Sequence, residues 1–147
     1  MAWLRTPGGD PPSAYAQLYR NGVIEAVDGS SLAPWGSDNK FIPSQTYEQR
    51  LLRHLPQYLQ TMREIGCGLP IFIGLSLTNV RGFCMATNSF HRREVINQDT
   101  LILPEAEVTD YGADATAILK PLFDIIWNAC GHPSSLNFDT AGNWIAR

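Results

Sequence analysis

The stretch QLYRNGVIEAV, residues 17–27, sets Asn21-Gly22 between two runs that alternate apolar and polar residues. Asn-Gly in that setting is a strong local signal for a hairpin, because both central positions of a tight two-residue turn need positive φ. A two-residue turn pairs Arg20 with Val23, Tyr19 with Ile24, Leu18 with Glu25 and Gln17 with Ala26. It also sets Arg20 and Glu25 diagonally on one face, within reach of an ion pair. The chain therefore begins its ordered part as an antiparallel ribbon, and whatever follows must supply that ribbon with something to pack on.

Two segments have helical spacing. After Ser44, which reads as a cap, Tyr47, Leu51, Leu52, Leu55, Tyr58, Leu59, Met62 and Ile65 recur mostly at steps of three and four, until Gly66 and Pro70 end the pattern. Asp114 caps the second helix, in which Ile118, Leu119, Leu122, Phe123, Ile126 and Ala129 form the buried stripe before Gly131 and Pro133. Each helix holds an interior proline, Pro56 and Pro121, expected to kink or split it.

Between the helices lie three strand-like runs. LPIFIGLSL, residues 69–77, is apolar throughout and too short for a helix, which predicts a central strand buried on both faces. TNVRG turns the chain into a return strand at 82–87. TLILPEAEVTD, residues 100–110, is a third strand whose Pro104 demands an edge position or a bulge. Residues 29–43 read as loop, with Trp35 and Phe41 plugging the core. The tail holds a DTAGN turn between Phe138 and Trp144. The expected order is β-β-α-β-β-β-α, an α+β two-layer sandwich with a mainly antiparallel sheet and two amphipathic helices on one face. Residues 1–13, rich in proline and glycine, are expected to be a flexible lead-in to a single domain at 14–147.

With 147 residues the chain can bury about 68–70% of its unfolded surface in one core. A net charge of −3 and a pI near 5.5 argue against a free-standing nucleic-acid binder, which needs a basic face. No run approaches the roughly 18 apolar residues of a membrane span. MAWLRTPGGDPPS lacks the apolar stretch of a signal peptide. The three cysteines, Cys67, Cys84 and Cys130, are widely spaced and cannot all pair; buried thiols in a reducing cytoplasm are expected.

The chemistry-bearing residues are few. Cys130 and His132 are the only close Cys/His pair, and two ligands do not make a zinc site. Cys130 stands at a helix C-terminus, where the macrodipole disfavours a thiolate. Glu105 and Glu107 share one strand face and offer a carboxylate pair for a divalent ion, the basis of an alternative reading as a metal-dependent hydrolase or nuclease. The lysine of the D…E-x-K layout is missing, since Glu107 and Thr109 stand two places after the two glutamates. Basic residues offer the best ligand contacts: Arg81 in the TNVRG turn, and His91, Arg92 and Arg93 in the polar loop beyond. These four support a second alternative, a small-ligand or nucleotide sensor gripping phosphate. Hairpin geometry puts Arg81 about 20 Å from the other three. No phosphate-cradling glycine loop and no G-x-S-x-G elbow occurs.

Taken together, LYRNGVIEAVDGSSL, IPSQTYEQRLLRHLPQYLQ, LPIFIGLSLTNVRGF, TLILPEAEV and LKPLFDIIWNACGHPSSLNFDTAGNW resemble the C-terminal region of certain bacterial proteins. Those proteins carry an N-terminal Schlafen-like, AlbA-type DNA-binding domain. The resemblance runs from about Tyr15 to Trp144 and assigns no catalytic or DNA-contacting residue here. With no coherent active site among the residues, strong folding signals and an acidic pI, the expected role is a non-enzymatic accessory module in a DNA-binding or defence-type system. Such a module binds a protein partner or its own copy, meets nucleic acid only through another domain, needs no cofactor or metal, and works in the cytoplasm away from membranes.

Overall fold

A computed structural model describes residues 14–32, 40–87 and 94–145. The fold is α+β: two helices accompany small, mainly antiparallel β-ladders. The hairpin comes first, β1 (Ala14–Leu18) against β2 (Ile24–Asp28). Its register differs by one residue from the expected one, with Leu18 opposite Ile24 and Gln17 opposite Glu25. Gly22 N–H bonds Tyr19 C=O at 3.0 Å, and Tyr19 N–H bonds Val23 C=O at 2.8 Å. Those bonds define a three-residue loop, in which a type I turn is followed by a glycine at φ +84°. Only one positive φ is needed, so Asn21 is spared it and accepts a hydrogen bond from Val23 N–H through its side chain instead. In this register Glu25 meets no arginine among the described residues; it accepts from the hydroxyls of Tyr19 and Tyr15, at 2.9 and 3.2 Å.

A two-residue strand, β3 (Phe41–Ile42), leads into helix α1 (Ser44–Glu64). Pro43, not Ser44, occupies the cap position, and no side chain caps this end. The helix continues through Pro56, and α2 (Ala115–Ala129) likewise continues through Pro121. Both prolines lie on exposed faces, where water can serve the carbonyl that loses its donor. Asp114 caps α2 as expected, accepting from Thr116 N–H at 3.0 Å.

The run at 69–77 is not one strand buried on both faces. It forms β4 (Ile71–Ile73) and β5 (Ser76–Thr78), which pair with β8 (Ala106–Val108) and β7 (Thr100–Ile102) respectively. Side chains alternate strictly: Ile71, Ile73, Leu75 and Leu77 turn inward, while Phe72, Gly74, Ser76 and Thr78 are exposed. Phe72 is 60% exposed. Ile71 opposes Val108 and Ile73 opposes Ala106, yet Ser76 opposes Ile102. Residues 103–105 therefore face only residues 74–75, so one extra residue bulges at Pro104–Glu105. The bulge resets the pleat. Leu101 and Leu103 point inward before it and Val108 after it, while Glu107 stays in water. Pro104 marks it, as the sequence reading requires.

The TNVRG turn is present, closed by Phe83 N–H to Val80 C=O at 3.0 Å. The segment after it does not return along β5. Its strand, β6 (Cys84–Met85), pairs in parallel with β3, an arrangement that links residues far apart in the chain. The core lies between the inward ribbon face and the helices, with Trp127, Phe123, Ile42, Met85 and Ile126 almost wholly buried. Trp35 lies outside the described residues, and Phe41 is half-buried.

Candidate functional site

The hairpin is held to the body at its two ends. At its base Asp28 accepts from Arg50 at 2.5 Å and from the hydroxyls of Ser30 and Ser31 at 2.8 and 2.5 Å. Burial pushes the Asp28 carboxyl up, but the bonds from Ser31, Arg50 and Ser30 outweigh it and hold the group well below the usual carboxylate range. At its tip, a Cβ added to Gly22 would stand 3.1 Å from the Cys67 sulfur. Tyr111 secures that second contact by donating its hydroxyl to the Cys67 carbonyl.

Between these two attachments opens a cleft of about 570 Å³, within the range of ligand sites. The hairpin covers it with Val23, Ile24 and Ala26, α1 forms one wall with Leu51, Tyr58 and Met62, and residues 70–75 form the other. None of its lining residues carries a charge at neutral pH, and its polar side-chain atoms are the Tyr58 hydroxyl and the Cys67 thiol. Burial raises the Tyr58 phenol above its ordinary value. Tyr58 and Met62 belong to the helical stripe read from sequence; the structure turns them toward this cleft. No local motif could have marked it, since its walls come from three separate parts of the chain.

The residues singled out for chemistry are dispersed. Arg81 grips Asp99 with Nε at 2.9 Å and a second nitrogen at 3.1 Å, and donates to the Asn97 carbonyl at 2.5 Å. The pair stabilises itself mutually, Asp99 raising Arg81 and Arg81 lowering Asp99. His91, Arg92 and Arg93 lie outside the described residues. Glu105 is exposed at the bulge, and Glu107 is exposed opposite Phe72. Among the described residues no cluster of three or more His, Cys, Asp and Glu is placed to hold a metal. Cys84 and Cys130 are buried, and burial with the neighbouring Cys84 pushes the Cys130 thiol up to about 11.

Sequence reasoning passed over Glu48, a fully buried carboxylate on α1. Its Oε1 accepts from Ser135 Oγ at 2.7 Å, Trp127 Nε1 at 2.8 Å and Tyr47 OH at 3.2 Å. Its Oε2 accepts from Trp144 Nε1 at 2.9 Å and Asn137 Nδ2 at 3.0 Å. Burial and the Glu48 charge push the Tyr47 phenol well above its ordinary value. The donors arrive from α1, α2 and the tail, and together they tie the tail down. Every oxygen is occupied by protein, so this carboxylate is a structural anchor. Its only sequence signal is a glutamate beside the apolar stripe of α1.

No family model, curated protein or solved structure matches the chain. Among the described residues no helix is long and apolar enough to cross a membrane.

Proposed function

We propose that the chain is a non-enzymatic interaction module that holds a protein partner, or a second copy of itself, through the cleft beneath the β1–β2 hairpin. The carrying observation is that this concavity of about 570 Å³ has an uncharged, apolar lining and opens beside exposed Val23, Leu69 and Phe72. Apolar surface gathered at a concave mouth marks a contact site more than scattered single residues do. The resemblance of several sequence blocks to the C-terminal region of Schlafen-like, AlbA-type proteins supports the reading that the module serves a bacterial DNA-binding or defence-type system.

A photo-crosslinker attached to Cys67, which borders the cleft, tests this reading. In native extract it should capture a defined polypeptide, or a second copy in pure concentrated protein, and Met62→Lys should abolish capture. Alkylation of Cys67 at one unchanged rate in dilute protein, concentrated protein and extract would refute it.

A further inference from the structure

Residues 70–75 border the cleft without a gap. A strand that turns a face to a cavity contributes every second residue; one that turns its edge contributes them all. Alternation also fixes where the backbone points. In an antiparallel strand the N–H and C=O of one residue share an edge, and those of the next residue take the other. The Leu75 carbonyl accepts from Leu103 N–H at 3.0 Å, so Leu75, Ile73 and Ile71 address the β7–β8 side. Phe72 and Gly74 then direct their backbone groups to the opposite edge, on the cleft side.

That edge is open. Among the described residues β4 pairs only with β8, and β2, across the cleft, pairs only with β1. A Cβ added at Gly74 would meet nothing within 4 Å. Proteins usually blunt such edges with charges or prolines. Pro70 guards one end here, but Ile71, Phe72, Ile73, Gly74 and Leu75 follow with no charge among them.

We infer that the cleft receives an extended apolar peptide segment of a partner protein as a strand added to the β4 edge, an inference resting on the interaction-module reading. Main-chain bonds from Phe72 and Gly74 supply the pairing. Charge matching with the uncharged lining requires neutral side chains at the inserted positions, where Ile24, Ala26, Tyr58 and Met62 receive every second one.

The test uses the whole chain and a panel of capped hexapeptides with valine, isoleucine, leucine or phenylalanine at alternate positions and threonine between them. Each is paired with a version N-methylated on its pairing edge. At least one plain peptide should slow amide exchange of Phe72 and Gly74, read by NMR, tenfold or more and protect Cys67 from alkylation. Its N-methylated version should bind at least tenfold more weakly. Equal binding of the two versions overturns strand addition while leaving the cleft a contact site. If no peptide protects Phe72, Gly74 or Cys67, strand addition falls, and the extract crosslinking at Cys67 shows separately whether the module reading falls with it.

Discussion

Trp127 and Trp144 donate their indole N–H groups to opposite oxygens of the Glu48 carboxylate, at 2.8 and 2.9 Å. With Tyr47, Ser135 and Asn137 on the same group, an acceptor buried among donors closes the tail over the two helices. Replacing it with a nearly isosteric amide puts N–H groups against N–H and O–H groups. Glu48→Gln should therefore cost about 2–4 kcal/mol of unfolding free energy, measured by urea denaturation with tryptophan fluorescence. A loss below about 0.5 kcal/mol, the range of ordinary surface changes, would remove the anchoring role.

Asp28 links stability to pH. Its folded carboxyl is held below the ordinary value despite partial burial, so its contribution is fully present above the unfolded pKa of about 3.9. It is lost as pH falls from there through the lower folded value. Because Arg50 is half-exposed, solvent screening limits the Arg50 pair to at most about 1 kcal/mol. Asp28→Asn should flatten the stability profile between pH 4 and 2 and speed Cys67 alkylation by loosening the hairpin. An unchanged acid limb would contradict this.

The Pro104–Glu105 bulge makes a sharper claim. Deleting Pro104 alone removes the extra residue, so an unbroken two-residue period from Leu103 keeps Glu107 outward and Val108 inward. Deleting Pro104 and Glu105 together turns Glu107 inward and Val108 outward. The double deletion should lose several kcal/mol or fail to fold, whereas the single deletion and Pro104→Ala should each remain within about 1.5 kcal/mol of the parent. Calorimetry of the three variants distinguishes a requirement for the phase of the pleat from a requirement for the bulged residue or for proline.

Gly131 combines two constraints. It has φ +79°, and an added Cβ would stand 2.7 Å from the Glu94 carboxyl carbon and 2.8 Å from its Cβ. Gly131→Ala should cost more than the 1–2 kcal/mol of left-handed strain alone, and Glu94→Gly in the same chain should recover part of the loss. Thermal unfolding of the single and double variants reads the difference.

Thiol reactivity should be confined to one cysteine. With Cys130 pushed up to about 11 and both Cys130 and Cys84 buried, iodoacetamide at pH 8 should label Cys67 in the native protein and all three only after unfolding. Peptide mass mapping checks this.

Residues whose role is local were legible in the sequence. Asp114 announces α2 by capping it, Pro104 announces the bulge, and Asn21-Gly22 announces a hairpin. The register escaped by one position because Asn-Gly serves both a two-residue turn and the type I turn with Gly22 after it. The parallel pairing of β3 with β6 escaped because Phe41–Ile42 and Cys84–Met85 are too short to show a period. The 69–77 run looked buried on both sides because Phe72, chemically apolar, occupies an open position. Of the site candidates, Arg81 was correctly placed in its turn, but its engagement by Asp99 depends on a segment distant in the chain. The cleft and the Glu48 cluster belong to no single stretch, so neither leaves a local signature.

The tethering of the tail bears on how the chain can be shortened. A cut just after the helix-ending Gly131 looks harmless by secondary structure, since among the described residues no helix or strand follows it. It would nonetheless remove Ser135, Asn137 and Trp144, three of the five donors to Glu48, and strip their cover from the carboxylate and from the core beside it. Minimal versions of this protein must run at least to Trp144, and a shorter fragment that aggregates would reflect that opened seam, not a missing helix or strand.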